Sequence, residues 1–241
     1  MIENDLTREP QPFIIIAGAR CGGTVLTHAL DSHPLVYCAR GEPWHNQSKW
    51  SQLGLSKGQI LTLLLNQTGY WSSGFKVQAN QISDTAMSFF QPYKPKVILL
   101  SREDIFRQTI SLVINKQVRQ GTIDFIPQHS FEKVKPHKVV LDKQLVTAQY
   151  NILQDISITA RTAVRCSGLS CFSLTYEQLV GEEQEITQLP EEVSKLLCLY
   201  LGVPERPMEV FLRRINWQPL EDLIVNFSDL EAEVKSKGLI K

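Results

Sequence analysis

The sequence lacks an excess of charge of either sign: Lys and Arg together number 25, and so do Asp and Glu. A formal net charge of zero removes the global basic field by which proteins hold nucleic acid or an acidic membrane, so any anion site must be local. No run of apolar residues reaches the roughly 20 that a membrane span needs. The first apolar run, residues 13–17, follows a polar, net-acidic stretch and is far shorter than a signal-peptide core. Neither secretion nor membrane insertion is expected. The five cysteines, Cys21, Cys38, Cys166, Cys171 and Cys198, are odd in number and scattered, without the paired C-x-x-C spacing of a zinc site. Reduced thiols in the cytoplasm, and no bound metal, are the expectation. What is present is a 241-residue chain with 43% hydrophobic and 21% charged residues, enough to build one full core without covalent staples. A single domain over residues 1–241 is the default.

Residues 13–17 (FIIIA) lie between Pro12 and Gly18 and read as a strand buried on both faces of a parallel sheet. Further strands are expected at 35–37, 74–77, 96–100 and 171–175. Helical periodicity is found over 24–31, 56–65, 105–118, 143–163 and 190–201, with Gly202 and Pro204 ending the last. Such alternation predicts an α/β fold, P-loop-like, in three layers with a central, mostly parallel sheet flanked by helices. Residues 121–138 have weak periodicity and read as a long surface loop. The tail, 220–239, reads as helical.

The loop after the first strand, Gly18-Ala19-Arg20-Cys21-Gly22-Gly23-Thr24, joins a buried strand to a helix start, where orphan backbone N–H groups and the helix dipole converge on an anion. It has the G-x-x-x-x-G of a phosphate-binding loop. Thr24 and Val25 stand where a nucleotide triphosphatase needs Lys and Ser or Thr, which argues against an ATP or GTP site holding magnesium. Arg20 is the strong cation inside the loop, and its planar fork can take two oxygens at once. A second segment, KVILLSREDIFRQTISLV, is a buried strand that delivers Arg102 at its C-terminal end. Asp104 then caps a helix carrying Ser111.

Taken together, ARCGGTVL followed by Asp31-Ser32-His33-Pro34, and the Arg102 to Ser111 segment, resemble the two signatures of the sulfotransferase superfamily. The wording FRQTISL resembles the bacterial glycan-sulfating branch, which includes trehalose and Nod-factor sulfotransferases. Gly74-Phe75-Lys76-Val77 and Leu174-Thr175-Tyr176-Glu177-Gln178-Leu179 resemble further family landmarks. Cys21 replaces the family's usual Ser, and Gly23 a usual Thr, so by the resemblance one or two hydroxyl contacts to a 5′-phosphosulfate would be missing.

The resemblance implies transfer of a sulfuryl group from 3′-phosphoadenosine 5′-phosphosulfate, without a metal, to a hydroxyl of a small molecule or glycan. Arg20 would stabilise the leaving phosphate, with the backbone of Cys21, Gly22, Gly23, Thr24 and Val25 cradling the rest. Arg102 and Ser111 would grip the 3′-phosphate. Arg213 or Arg214 would complete the donor site, with Trp217 stacking. Glu42, in Gly41-Glu42-Pro43-Trp44, takes the place of the family's base, with His45 as the alternative. His33 is expected to cap or pack beside Pro34. Trp44, Trp50, Tyr70 and Trp71 suit either sugar stacking or the core. Related enzymes include homodimers, which raises the same question here. A binding protein of the same fold without transfer activity, or a P-loop kinase of small metabolites, are the alternatives.

Overall fold

Three consecutive isoleucines after Phe13 leave a strand no polar face, and such a strand belongs in the middle of a parallel sheet covered on both sides. In the computed structural model, which describes residues 9–45, 52–121, 138–181, 186–210 and 220–238, this is where it lies. β1 (Gln11–Ala17) is the centre of a five-stranded, all-parallel sheet with β2 (Val36–Ala39), β3 (Ser72–Gln78), β4 (Lys96–Ser101) and β5 (Cys171–Thr175). The strand order is β2-β3-β1-β4-β5. β1 pairs with β3 from Gln11 opposite Ser72 to Ala17 opposite Gln78, and with β4 from Phe13 opposite Lys96 to Ala17 opposite Leu100. The described helices are α1 (Gly23–Asp31), α2 (Lys57–Leu65), α3 (Asp84–Phe90), α4 (Ile105–Arg119), α5 (Lys143–Ser167), α6 (Tyr176–Val180), α7 (Glu191–Leu201), α8 (Leu220–Leu223) and α9 (Phe227–Ser236). The fold is α/β, as the alternation of elements predicts.

The chain divides into two compact units. The first, residues 1–103 and 156–211, contains the sheet. Its core packs Ile14, Ile16, Phe75, Val77, Val97 and Leu99 against Leu61, Leu64 and Leu65 of α2, Met87 and Phe90 of α3, and Ala160, Ala163 and Val164 from the end of α5. The second unit, residues 104–155 and 212–241, is helical. Phe106, Ile110, Val113 and Ile114 of α4 pack with Val146 and Tyr150 of α5 and with Leu223, Leu230 and Val234. Here Asn226 acts as a strand partner: its Oδ1 accepts from Leu141 N–H at 3.1 Å and its amide donates to the Leu141 carbonyl at 2.8 Å. That pairing, with Val139 bridging Ile224, explains why the expected single tail helix is broken into α8 and α9. Two short helices, α3 and α6, have no counterpart in the sequence reading. Both are started by hydroxyl caps, Ser83 and Thr175, in place of a long apolar period. Of the expected long loop, residues 122–137 lie outside the described residues.

His33 is buried at the end of α1, and it does cap beside Pro34. Leu35 N–H donates to its Nδ1 at 3.2 Å, which places the ring proton on Nε2, 3.0 Å from the Pro204 carbonyl. Burial holds this imidazole below its ordinary value of 6.5. The unfolded chain therefore binds a proton first as pH falls, so the contribution of His33 is complete above about pH 6.5 and declines below it toward the folded value. Thermal denaturation at pH 7.5 and 5.5 should show a lower midpoint at 5.5, and His33→Asn should shrink that difference.

Candidate functional site

β1 and β4 are neighbours whose outgoing connections lead to opposite sides of the sheet, β2 on one side and β5 on the other. Such a switch point opens a crevice at the carboxyl ends of the strands. The loop 18–22 leaves the carboxyl end of β1, and Arg102 follows that of β4. Gly22, with φ +81°, is the N-cap of α1 and supplies no side-chain cap, and the first turn carries no acidic residue. The leading N–H groups of α1, from Gly23 to Val25, are thus donors that no residue earlier in the helix can satisfy. Gly22 is required twice over, since a Cβ there would also stand 2.8 Å from the Tyr176 ring. Arg20 is left-handed as well, at φ +64°, a conformation costing a non-glycine residue about 1–2 kcal/mol. The Cys21 position needs correcting: its N–H donates to the Gly18 carbonyl at 3.3 Å, closing the turn, and its side chain is buried. Burial pushes the thiol up to about 12, so it stays protonated and inert.

Beneath the loop the structure places a residue that the sequence reading passed over. Lys76 of β3 is buried, with its stem running under Gly23 so closely that a Cβ on that glycine would meet Lys76 Cδ at 2.9 Å and Ala17 Cβ at 3.1 Å. The absence of a threonine side chain at position 23 is the steric counterpart of this lysine. Lys76 Nζ lies 3.3 Å from Glu42 Oε1, and Gln78 Nε2 donates to the same oxygen. Glu42 keeps 34% of its side chain exposed, against 9% for Lys76. The carboxylate is brought here by the turn after β2, where His45 N–H donates to the Glu42 carbonyl at 3.0 Å. Trp44 anchors that turn. It is 3% exposed, tilted against Phe90 at 5.1 Å between ring centroids, with Lys57 Nζ 4.8 Å above its ring. Trp44 is core and no sugar platform, whereas His45 is exposed. The signal that could have singled out Lys76 was a lysine inside an otherwise apolar parallel strand, where a charge is held only with a partner.

Arg102 sits inside the unit, with 8% of its side chain exposed. Its Nη1 donates to the Arg20 carbonyl at 3.2 Å, its guanidinium lies 4.4 Å over the Tyr176 ring, and Nε is 3.8 Å from Glu177 Oε1. Glu177 Oε2 also accepts from Glu103 N–H at 3.1 Å. The arginine therefore ties the left-handed residue of the loop to the first turn of α6. Thr24 is exposed at the start of α1. Ser111 is a half-buried residue of α4, in the second unit. Arg213, Arg214, Trp217 and Trp50 lie outside the described residues.

Two measurements follow from this geometry. At neutral pH, iodoacetamide should label the exposed Cys166 well before the buried Cys21 and Cys38, as read by peptide mass spectrometry. Gly23→Ala should lower stability by about 1–3 kcal/mol in urea denaturation, because the new methyl group must displace Lys76 from its place beside Glu42.

No protein-family model matches the chain, and no curated protein matches it. Among solved structures, its fold is similar to that in the crystal structure of a sulfotransferase from Alicyclobacillus acidocaldarius, with a TM-score of 0.52, 14% identity, and 95% of each chain covered. At that identity the likeness is one of fold: a parallel α/β sheet of the sulfotransferase type.

Proposed function

We propose that the chain is a sulfotransferase, moving the sulfuryl group of 3′-phosphoadenosine 5′-phosphosulfate to a hydroxyl of a carbohydrate or related small acceptor. The observation that carries this is the pairing of Glu42 with Lys76 at the uncapped start of α1, which sets a cation and a base beside an anion cradle. Thr24 stands at the position of a kinase lysine, so the cation of this cradle comes from the neighbouring strand. The fold likeness and the two loop motifs support the same reading. The free cysteines support a reducing compartment, and we place the enzyme in the cytoplasm.

Sulfuryl transfer, like phosphoryl transfer, runs through a loose in-line transition state with charge spread over peripheral and bridging oxygens. Positioning and fixed positive charge are then the main catalytic means. The N–H groups of Gly23, Thr24 and Val25 hold the 5′-phosphate, and Lys76 and Arg20 stabilise charge on the transferred and leaving oxygens. Glu42 accepts the acceptor's proton as the oxygen–sulfur bond forms. The bond from sulfur to the phosphate oxygen breaks, and its electron pair departs with the nucleotide. Arg102 takes the 3′-phosphate in this reading.

Thermal-shift titration with 3′-phosphoadenosine 5′-phosphate at 100 times its dissociation constant should stabilise the protein by about 2.7 kcal/mol. ATP with magnesium should do less, and a response to ATP with magnesium alone would make the kinase reading the better one. Turnover is read as release of the bisphosphate from the donor across a panel of sugar hydroxyls. Glu42→Gln should retain product binding and lose about 10²–10⁴ in turnover. Arg102→Ala should weaken donor and product binding alike.

A further inference from the structure

We propose that Gln78 is a positioning residue that orients the Glu42 carboxylate for proton transfer, an inference that rests on the sulfuryl-transfer reading of the site. β3 ends at Gln78, opposite Ala17, the residue from which the anion loop departs. Side chains two apart on a strand share a face, so Lys76 and Gln78 point the same way while Val77 enters the core. The strand therefore delivers two donors to one carboxylate, and both meet it at Oε1. Oε2 is then the oxygen that takes the proton.

The two donors differ in what they can do during turnover. Lys76 lies under the cradle, and in this reading its ammonium is shared with the transferred group as negative charge gathers there. A carboxylate held by lysine alone would be loosened at the moment it acts. Gln78 holds it with a neutral N–H, which fixes its direction and is not drawn away by charge gathering on the transferred group. Gln78 is itself located: its backbone N–H donates to Gln81 Oε1 at 3.2 Å, across the 3-10 turn Ala79–Gln81. It is also half-buried, unlike a surface glutamine making a chance contact.

The test compares wild type with Gln78→Met, which keeps the length of the side chain and removes the donor, and Gln78→Asn, which keeps the amide but withdraws it by one methylene. Turnover should fall by about 10- to 100-fold in both, the scale of a small misplacement of a catalytic group. The thermal shift produced by 3′-phosphoadenosine 5′-phosphate, and the melting midpoint without ligand, should stay near wild type. Independently of turnover, labelling of Glu42 by a water-soluble carbodiimide at pH 6, followed by peptide mass spectrometry, should rise several-fold in both variants. A carboxylate released from its amide donor is no longer held against β3 and is reached more readily by the reagent. Unchanged labelling and turnover in either folded variant would overturn the proposal. So would a loss of turnover matched by equal losses of product binding and melting midpoint. If wild type shows no sulfuryl transfer to any acceptor, the functional reading fails, and the labelling still decides whether Gln78 governs the carboxylate.

Discussion

A buried ammonium beside the positive end of a helix is the constraint on which this site depends. Lys76 lies under the first residue of α1, where the macrodipole already places partial positive charge, so two like charges meet in a region from which water is excluded. A charge taken out of water costs several kcal/mol unless it is paired. Glu42 supplies the pair while no anion is bound, and much of the local architecture serves to bring it there. β2 stops at Ala39, Pro43 and Trp44 are buried behind the turn, and the carboxylate stays about a third exposed. An anion in the cradle would compete for the same lysine, so its binding and the electrostatic surroundings of the Glu42 carboxylate would be linked by a single side chain.

The same constraint explains the glycines. A loop that only had to turn could carry a side chain at position 23, but one that lies on a lysine stem cannot. Gly23, which stands where the sulfotransferase signature that this loop resembles has a threonine, makes room for a cation delivered from another strand. The departure at Cys21 is of a different kind: a buried thiol fills apolar space where the loop closes on Gly18, and its chemistry is silenced by burial.

β1 and β4 were legible in the sequence because they are short apolar runs next to proline or glycine, with no polar alternation to confuse the pattern. The loop after β1 was legible because glycine between a strand and a helix has few other uses. Lys76 was not read as functional because the strand pattern was used to find the core, and the exception within the pattern was passed over. Arg102 was found by its place at the end of β4, but nothing local announced that Tyr176 and Glu177, more than 70 residues further on, would hold its guanidinium. The division into two units was hidden for a related reason. α5 runs with unbroken periodicity through residue 155, and helical period reports which face is buried and not which core it is buried in.

The bracing of the anion loop also bears on how the chain folds. β1 and its loop belong to the first tenth of the polypeptide, yet the contacts that hold Arg20 in its left-handed conformation come from 82 residues later, and the contact that steadies Arg102's own turn from 74 residues beyond that. Closing loops of this length comes late relative to local helix formation, because their entropy is lost before the contact repays it. The sheet's central strand can be in place while the cradle beside it is still unformed. The proposed anion site would then be a property of the finished fold, acquired only when β5 and the turn of α6 have joined the edge of the sheet.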